Sequence, residues 1–310
     1  MGTLNPVCLA GYQGPKSILT TSLQALAARI APQFGEANVR LEGNITATGE
    51  TAASLFASVD SGVRQICYIA TGYLAAKVPE LAALDLPFTV HDRSVALVAL
   101  DGPAGEVLKA AIESRTGYKV LGFWDNGFRH LTNGVRPICV PADCAGLTIR
   151  TLDSAIYREA LAALGFLPRS IDVKDLVRVI ETRQVDAQEN PLTNYVNFAL
   201  YKYHPYVSLT GHFFGVLVLA CNRAWFESLP AARQAALADA AAHATRLQRN
   251  QAALEDEALM ARILEGGAQI ITAPQLDLDA MKLATRFIVE RERRQLPLQI
   301  VNTYLDQVIA

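Results

Sequence analysis

The first seventy residues alternate short apolar runs with helical apolar spacing, and that alternation restricts the chain to an α/β fold. Residues 7–10 read as a strand and residues 11–15 as a turn. Ser17 can cap a helix whose apolar face is Leu19, Leu23, Leu26 and Ile30. Residues 39–45 give a second strand, residues 50–59 a helix that stops at Gly62, and residues 66–70 a third, buried strand. This βαβαβ order predicts a parallel sheet. Such sheets bind ligands outside the carboxyl ends of their strands, which places Tyr12, Gln13, Thr71 and Tyr73 near a site.

The middle of the chain repeats the logic. Residues 138–141 and 148–151 read as strands, 154–164 as a helix closed by Gly165, 172–182 as another helix, and 185–188 as a returning strand. Two such units in tandem predict two similar domains facing each other. Residues 95–100 and 216–221 are short apolar runs, expected as buried strands or helix pieces. After Leu229-Pro230 an Ala-, Leu-, Arg- and Gln-rich stretch continues to Leu264, where Gly266-Gly267 ends it. It exceeds an ordinary globular helix and lacks heptads, so it is expected to bridge two domains. Residues 278–295 predict a last helix whose charges form a solvated face, as Glu255, Asp256 and Glu257 are expected to do in the long one.

At 310 residues the chain can bury two cores, and a net charge of −2 gives no general attraction to nucleic acid or anionic membrane. No apolar run reaches the roughly 18 residues a spanning helix needs. Met1-Gly2-Thr3-Leu4 lacks the basic start of a secretory leader, so the chain is expected to be cytosolic or to begin at a mature N-terminus. Five cysteines argue against a complete disulfide framework, and no second Cys or His pair joins Cys139 and Cys144 in a zinc site.

Familiar reaction motifs fail on spacing. In Gly11-Tyr12-Gln13-Gly14-Pro15-Lys16-Ser17 two residues separate the glycines where a phosphate loop needs four. Neither Gly-x-Ser-x-Gly nor His-Glu-x-x-His occurs. No catalytic residue, metal or cofactor is expected.

The chemistry concentrates between Gly127 and His212. The runs are Gly-Phe-Arg-His (127–130), Arg-Pro-Ile (136–138), Gly-Leu-Thr-Ile-Arg (146–150), Gln-Glu-Asn-Pro (188–191) and Thr-Gly-His (210–212). Arginine, asparagine and histidine recur there beside turn residues, with no nucleophile next to a base. That set suits holding an anion. Arg150 ends a short strand, and its planar fork matches a carboxylate with two parallel hydrogen bonds. Asn190 can donate to the same group, with Pro191 fixing the turn behind it. Arg136, before a proline, reads as structural. His212 reads either as a satisfied core group or as a ligand contact, and alternation turns either Phe213 or Phe214 toward a cleft.

In this order and spacing the runs resemble the solute-binding proteins of tripartite ATP-independent periplasmic (TRAP) transporters, of the dicarboxylate-binding type. Leu86-Pro87-Phe88 and the long helix fit as well. The resemblance implies a two-domain periplasmic-binding-protein-like α/β fold with a ligand cleft between the domains and a long helix spanning both. It implies domains of residues 1–126 plus about 216–255 and 127–215 plus about 256–310, with crossovers near 126 and 215. It further implies a monomeric periplasmic receptor that delivers an organic acid to small and large membrane permease subunits. Arg150 matches the family's carboxylate-gripping arginine, with Arg129 and Asn190 in support.

The chain departs from the family at Arg183-Gln184, where a glycine is usual, at Val63-Arg64-Gln65 after Gly62, and at Ala70, where sialic-acid-binding relatives carry glutamate. The far wall is expected to be Tyr12, Tyr73, Phe214 and Val216, which favours a monocarboxylate with an apolar or lightly hydroxylated body. The alternatives from other classes are an α/β enzyme, such as a transferase, anchoring its substrate on Arg150, or a soluble sensor.

Overall fold

The computed structural model describes residues 6–309, so the reading of Met1-Gly2-Thr3-Leu4 lies outside the described residues. Nine strands form one mixed sheet: β1 (Val7–Ala10), β2 (Val39–Glu42), β3 (Ile66–Ala70), β4 (Tyr118–Asn133), β5 (Thr148–Thr151), β6 (Leu167–Ser170), β7 (Ala187–Pro191), β8 (Tyr206–Asn222) and β9 (Gln269–Ile271). Their spatial order is β2-β1-β3-β8-β4-β7-β5-β6, with β9 beside β8. In one lobe β1 runs parallel between β2 and β3, and in the other β5 runs parallel between β6 and β7. The parallel expectation therefore holds at both ends. The centre departs from it, because β4 and β8 pair antiparallel over nearly their whole length and belong to both lobes.

The expected run 216–221 falls in β8, but the rest of that central pair was illegible as strands because it is interrupted. The register shifts between Val120 and Gly122, Asp125 and Gly127, and Arg129 and Leu131. Gly127 sits at φ 86°, where a side chain would be strained, and its N–H donates to Asp125 Oδ1 at 2.7 Å. Asp125-Asn126-Gly127 reads locally as a turn; the flanking ladder holds it in a bulged strand.

The first lobe follows the sequence pattern closely. Ser17 accepts from the Leu19 N–H at 3.2 Å and starts α1 (Ile18–Phe34), whose Leu19, Leu23, Leu26 and Ile30 are buried. Each such side chain contributes about 1.5–3 kcal/mol on burial. Thr51 and Ser54 form a reciprocal cap on α2 (Ala52–Asp60). Residues 95–100 lie in the helix Arg93–Asp101, capped by Asp92. Arg64, where the family pattern is broken, joins Glu42 on β2 to Glu50 before α2.

Three expectations in the second lobe need correction. Residues 138–141 are not a strand: the Cys139 and Val140 N–H groups donate to Asp143 Oδ2 at 2.8 and 3.0 Å, which satisfies the backbone locally. Arg136 closes this loop on the carbonyls of Asp143 and Ala145, in keeping with a structural role. The returning strand runs later than expected, as Ala187–Pro191, and so carries the Gln-Glu-Asn-Pro run itself. β6 is an extra edge strand, hidden by Pro168 and an exposed pattern. Arg183 takes φ 54° at the helix end where glycine is usual, a left-handed conformation costing about 1–2 kcal/mol.

The long helix is Ala231–Glu265, 35 residues, and the tail helix is Leu278–Gln295. The long helix serves both cores: Leu237, Ala240, Ala241 and Ala244 pack into the first, Leu259 and Ile263 into the second. Its carboxylates are less solvated than expected. Asp256 pairs with Arg93 and Glu255 is half-buried, while the side chain of Glu257 lies outside the described residues. Among the described residues no helix is long and apolar enough to cross a membrane.

Where the long helix crosses the bulge of β4, buried Gln248 holds both backbone groups of Asp125, accepting from its N–H at 2.8 Å and donating to its carbonyl at 2.6 Å. Gln248→Ala strands both groups and is expected to lower unfolding free energy by about 2–4 kcal/mol. Urea denaturation checks this, and a change below about 0.5 kcal/mol would contradict it.

Candidate functional site

Arg150 is the third residue of β5. It is 2% exposed, and its Nε donates to the Ile171 carbonyl at 2.8 Å. Its Nη2 has no hydrogen-bond partner among the described residues, and no carboxylate lies within salt-bridge distance of its guanidinium. Burial pulls its pKa below the usual guanidinium range, and Arg129 adds to this, while Tyr73 and Glu189 only partly offset it. A buried, incompletely solvated cation is costly unless an anion joins it.

Arg129 differs. It is buried on β4 and forms a two-pronged ion pair with Glu189 of β7, with Nη2 to Oε1 at 2.9 Å. Glu189 also accepts from Thr151 Oγ1 at 2.8 Å. Arg129 therefore has its counter-charge within the protein. Its Nη2 also reaches Asn190 Oδ1 at 3.2 Å. Asn190 donates one amide hydrogen to Gln188 Oε1 at 2.5 Å, which leaves the other amide hydrogen for a further partner.

These residues line one small pocket with a cavity volume of about 20 Å³. Tyr12, Gln13, Ala70 and Tyr73 come from the first lobe, at the carboxyl ends of β1 and β3. Arg129, Arg150, Leu152, Val173, Asn190 and Asn194 come from the second, and Asn126 from the bulge between them. No site role was expected for Asn126 or Asn194, nor for Glu189 within the Gln-Glu-Asn-Pro run. Asn194 had a signal, since it falls four residues after Asn190 where Pro191 opens the helix Leu192–Asn197.

A larger cavity of about 870 Å³ lies next to this pocket, bounded by α2, Lys77 and residues 170–172. It shares Tyr73 with the inner pocket and also includes Ile171, whose carbonyl holds Arg150. The unpaired charge lies in the inner pocket, and the two spaces meet at Tyr73.

Four expected contacts do not reach the pocket. Thr71 donates from Oγ1 to Asp85 Oδ1 or the Val216 carbonyl, at 3.0 and 3.2 Å. Phe214 packs against Phe128, ring centres 5.1 Å apart, and Val216 is core. His212 shares a hydrogen with Thr210 Oγ1 at 2.7 Å and stacks near Phe88 and Phe213. Burial, then His130 and Arg129, push its pKa well below the usual imidazole range, so it is neutral. The wall is consequently richer in amides than the sequence suggested.

Two α/β lobes joined by a bulged strand pair, with a long helix across both and an unpaired buried cation between them, define a solute-binding receptor. The chain belongs to the bacterial extracellular solute-binding proteins of family 7, whose pattern matches residues 14–295. It is a DctP-type solute-binding protein of the TRAP class. It is similar to the 2,3-diketo-L-gulonate-binding periplasmic protein YiaO of Escherichia coli, 32% identical over 228 residues, covering 74% of this chain and 68% of that protein. Its fold matches the sugar acid binding protein of Advenella mimigardefordensis in complex with galactonate, with a TM-score of 0.91, 24% identity and 98% of each chain covered. It also matches a TRAP solute-binding protein of Sulfurospirillum deleyianum with bound succinate, at TM-score 0.89, 23% identity and 99% of each chain.

Behind the pocket, Asp85 is fully buried, held by Thr71 and approached by the Tyr157 hydroxyl at 3.5 Å. Burial raises its carboxyl pKa to about 7 against the lowering effect of Thr71 and Arg129. The native state thus keeps a proton that the unfolded chain loses near pH 4, so this group's contribution to stability falls as pH rises from about 4 through about 7. The stability of wild type relative to Asp85→Asn is expected to decline over that window, measured by urea midpoints at several pH values. A flat difference would contradict a protonated Asp85.

Proposed function

We propose that this protein is the periplasmic receptor through which a TRAP transporter captures a small organic monocarboxylate and passes it to its two membrane subunits. The observation that carries the reading is the unpartnered Nη2 of buried Arg150, which faces a pocket built from both lobes. A ligand carboxylate supplies the missing counter-charge and converts a costly desolvated cation into a charge-assisted pair. Asn190 adds its free amide hydrogen, and Arg129, neutralised by Glu189, fixes the amide that donates it. One unpaired guanidinium matches one carboxylate; a second carboxylate would stay without a counter-charge. The 2,3-diketo-L-gulonate that names YiaO and the galactonate on the Advenella protein are acids with one carboxylate, which supports this reading.

Room of about 20 Å³ suits a single water molecule, so an organic acid requires the lobes to part and then close. The proposed rigid units are residues 1–126 with about 216–255, and 127–215 with about 256–310. The bends fall near 126 and 215, beside the bulge of β4 and opposite it on β8. Closure brings Tyr12, Gln13 and Tyr73 onto a ligand already held by Arg150.

The test separates a binding arginine from a structural one. The probe is the tightest-binding acid found among galactonate, lactate, pyruvate and succinate by thermal shift. Arg150→Lys keeps a charge but loses the fork, and is expected to weaken this acid by about 3–5 kcal/mol in calorimetry. Arg150→Met, without ligand, is expected to be at least as stable as wild type in urea, because an unpaired buried charge has been removed. Near-wild-type affinity of the lysine variant, or clear destabilisation of the methionine variant, would contradict the assignment.

A further inference from the structure

We propose that Gln13 sets the specificity of this pocket, and that the ligand is a hydroxylated carboxylate whose hydroxyl donates to Gln13 Oε1. The proposal rests on the reading of Arg150 as the carboxylate anchor.

The guanidinium of Arg129 can only donate. Its hydrogen bond to Asn190 therefore fixes which atom of that amide is the oxygen. The Asn190 nitrogen is then turned to Gln188 Oε1, while its oxygen also accepts from Asn194 Nδ2 at 2.9 Å. Asn194 has thereby committed its nitrogen and offers its oxygen, which accepts from Gln13 Nε2 at 3.1 Å. The polarity set by one arginine passes through two asparagines to Gln13. A flipped Gln13 would set two amide oxygens against each other.

What remains at the end of this relay is Gln13 Oε1. Gln13 is 1% exposed, lines the pocket, and its Oε1 has no partner among the described residues. The pocket thus presents two unmet demands of opposite kind. Arg150 Nη2, from the second lobe, needs an acceptor with negative charge, and Gln13 Oε1, from the first, needs a donor. A carboxylate answers the first and cannot answer the second, because both its oxygens only accept. A second carboxylate aimed at Gln13 meets lone pairs. An alkyl chain leaves the acceptor desolvated and unpaired, the situation in which sites reject analogues lacking a hydroxyl most strongly. A hydroxyl on the same skeleton answers both demands with one molecule lying across the two lobes.

The experiment uses the whole chain and pairs of acids with equal carbon count: galactonate with hexanoate, lactate with propionate, and malate with succinate. Calorimetry is run on wild type, on Gln13→Met, which keeps side-chain length without the acceptor, and on Arg150→Lys. Expected is binding of at least one hydroxy acid, about 100-fold tighter than its deoxy partner, with the ratio falling below tenfold in Gln13→Met. Equal affinities within every pair, no binding of any hydroxy acid at millimolar concentration, or a ratio that survives Gln13→Met would each overturn the proposal. If Gln13→Met fails to fold, the wild-type ratios decide alone. Arg150→Lys distinguishes the two readings: loss of binding there without any hydroxyl preference in wild type defeats only the role of Gln13. Wild-type affinity in Arg150→Lys defeats the anchor on which it rests.

Discussion

A buried guanidinium without a carboxylate of its own is the interaction on which this structure turns. Proteins seldom keep such a group, because the desolvation of a cation is not repaid by one backbone carbonyl. Among the described residues Arg150 has only the Ile171 oxygen as a hydrogen-bond partner. Arg129, in the same pocket on β4, shows what a satisfied arginine looks like, with Glu189 held across two nitrogens. The contrast supports the proposed roles, in which one arginine organises the wall and the other is completed by the ligand.

The rest of the architecture serves to hold that group between two bodies. Each lobe contributes a parallel three-strand unit whose carboxyl ends meet at the pocket. The strands β4 and β8 run through both lobes, so no flexible linker joins them. The bulge at Asp125 and Gly127, supported by Gln248 from the long helix, interrupts the ladder at the bend of the proposed closure. The long helix has alanines against the first core and larger residues against the second, a surface that lets it lie close across the junction.

Much of this was legible in the sequence. Period-two runs and capped periodic helices located β1, α1, α2, β3, β5 and the long helix, and the ordered runs singled out Arg129, Arg150 and Asn190, which line one pocket. What was not legible shares a physical cause: side chains overriding local pattern. Asp143 dissolved a strand expected at residues 138–141, and bulges disguised β4. Within the site, the sequence could name the residues but not their partners. It gave no means of knowing that Glu189 neutralises Arg129, that His212 and Thr71 are spent on Thr210 and Asp85, or that Gln13 ends a relay of amides.

A crystal structure of the protein with a bound organic acid tests the central claim most directly. The account predicts a ligand carboxylate oxygen about 2.7–2.9 Å from Arg150 Nη2, with first-lobe side chains on the same ligand and the Arg129–Glu189 pair unchanged. A ligand seated in the outer cavity, with Arg150 still joined only to the Ile171 carbonyl, would contradict it.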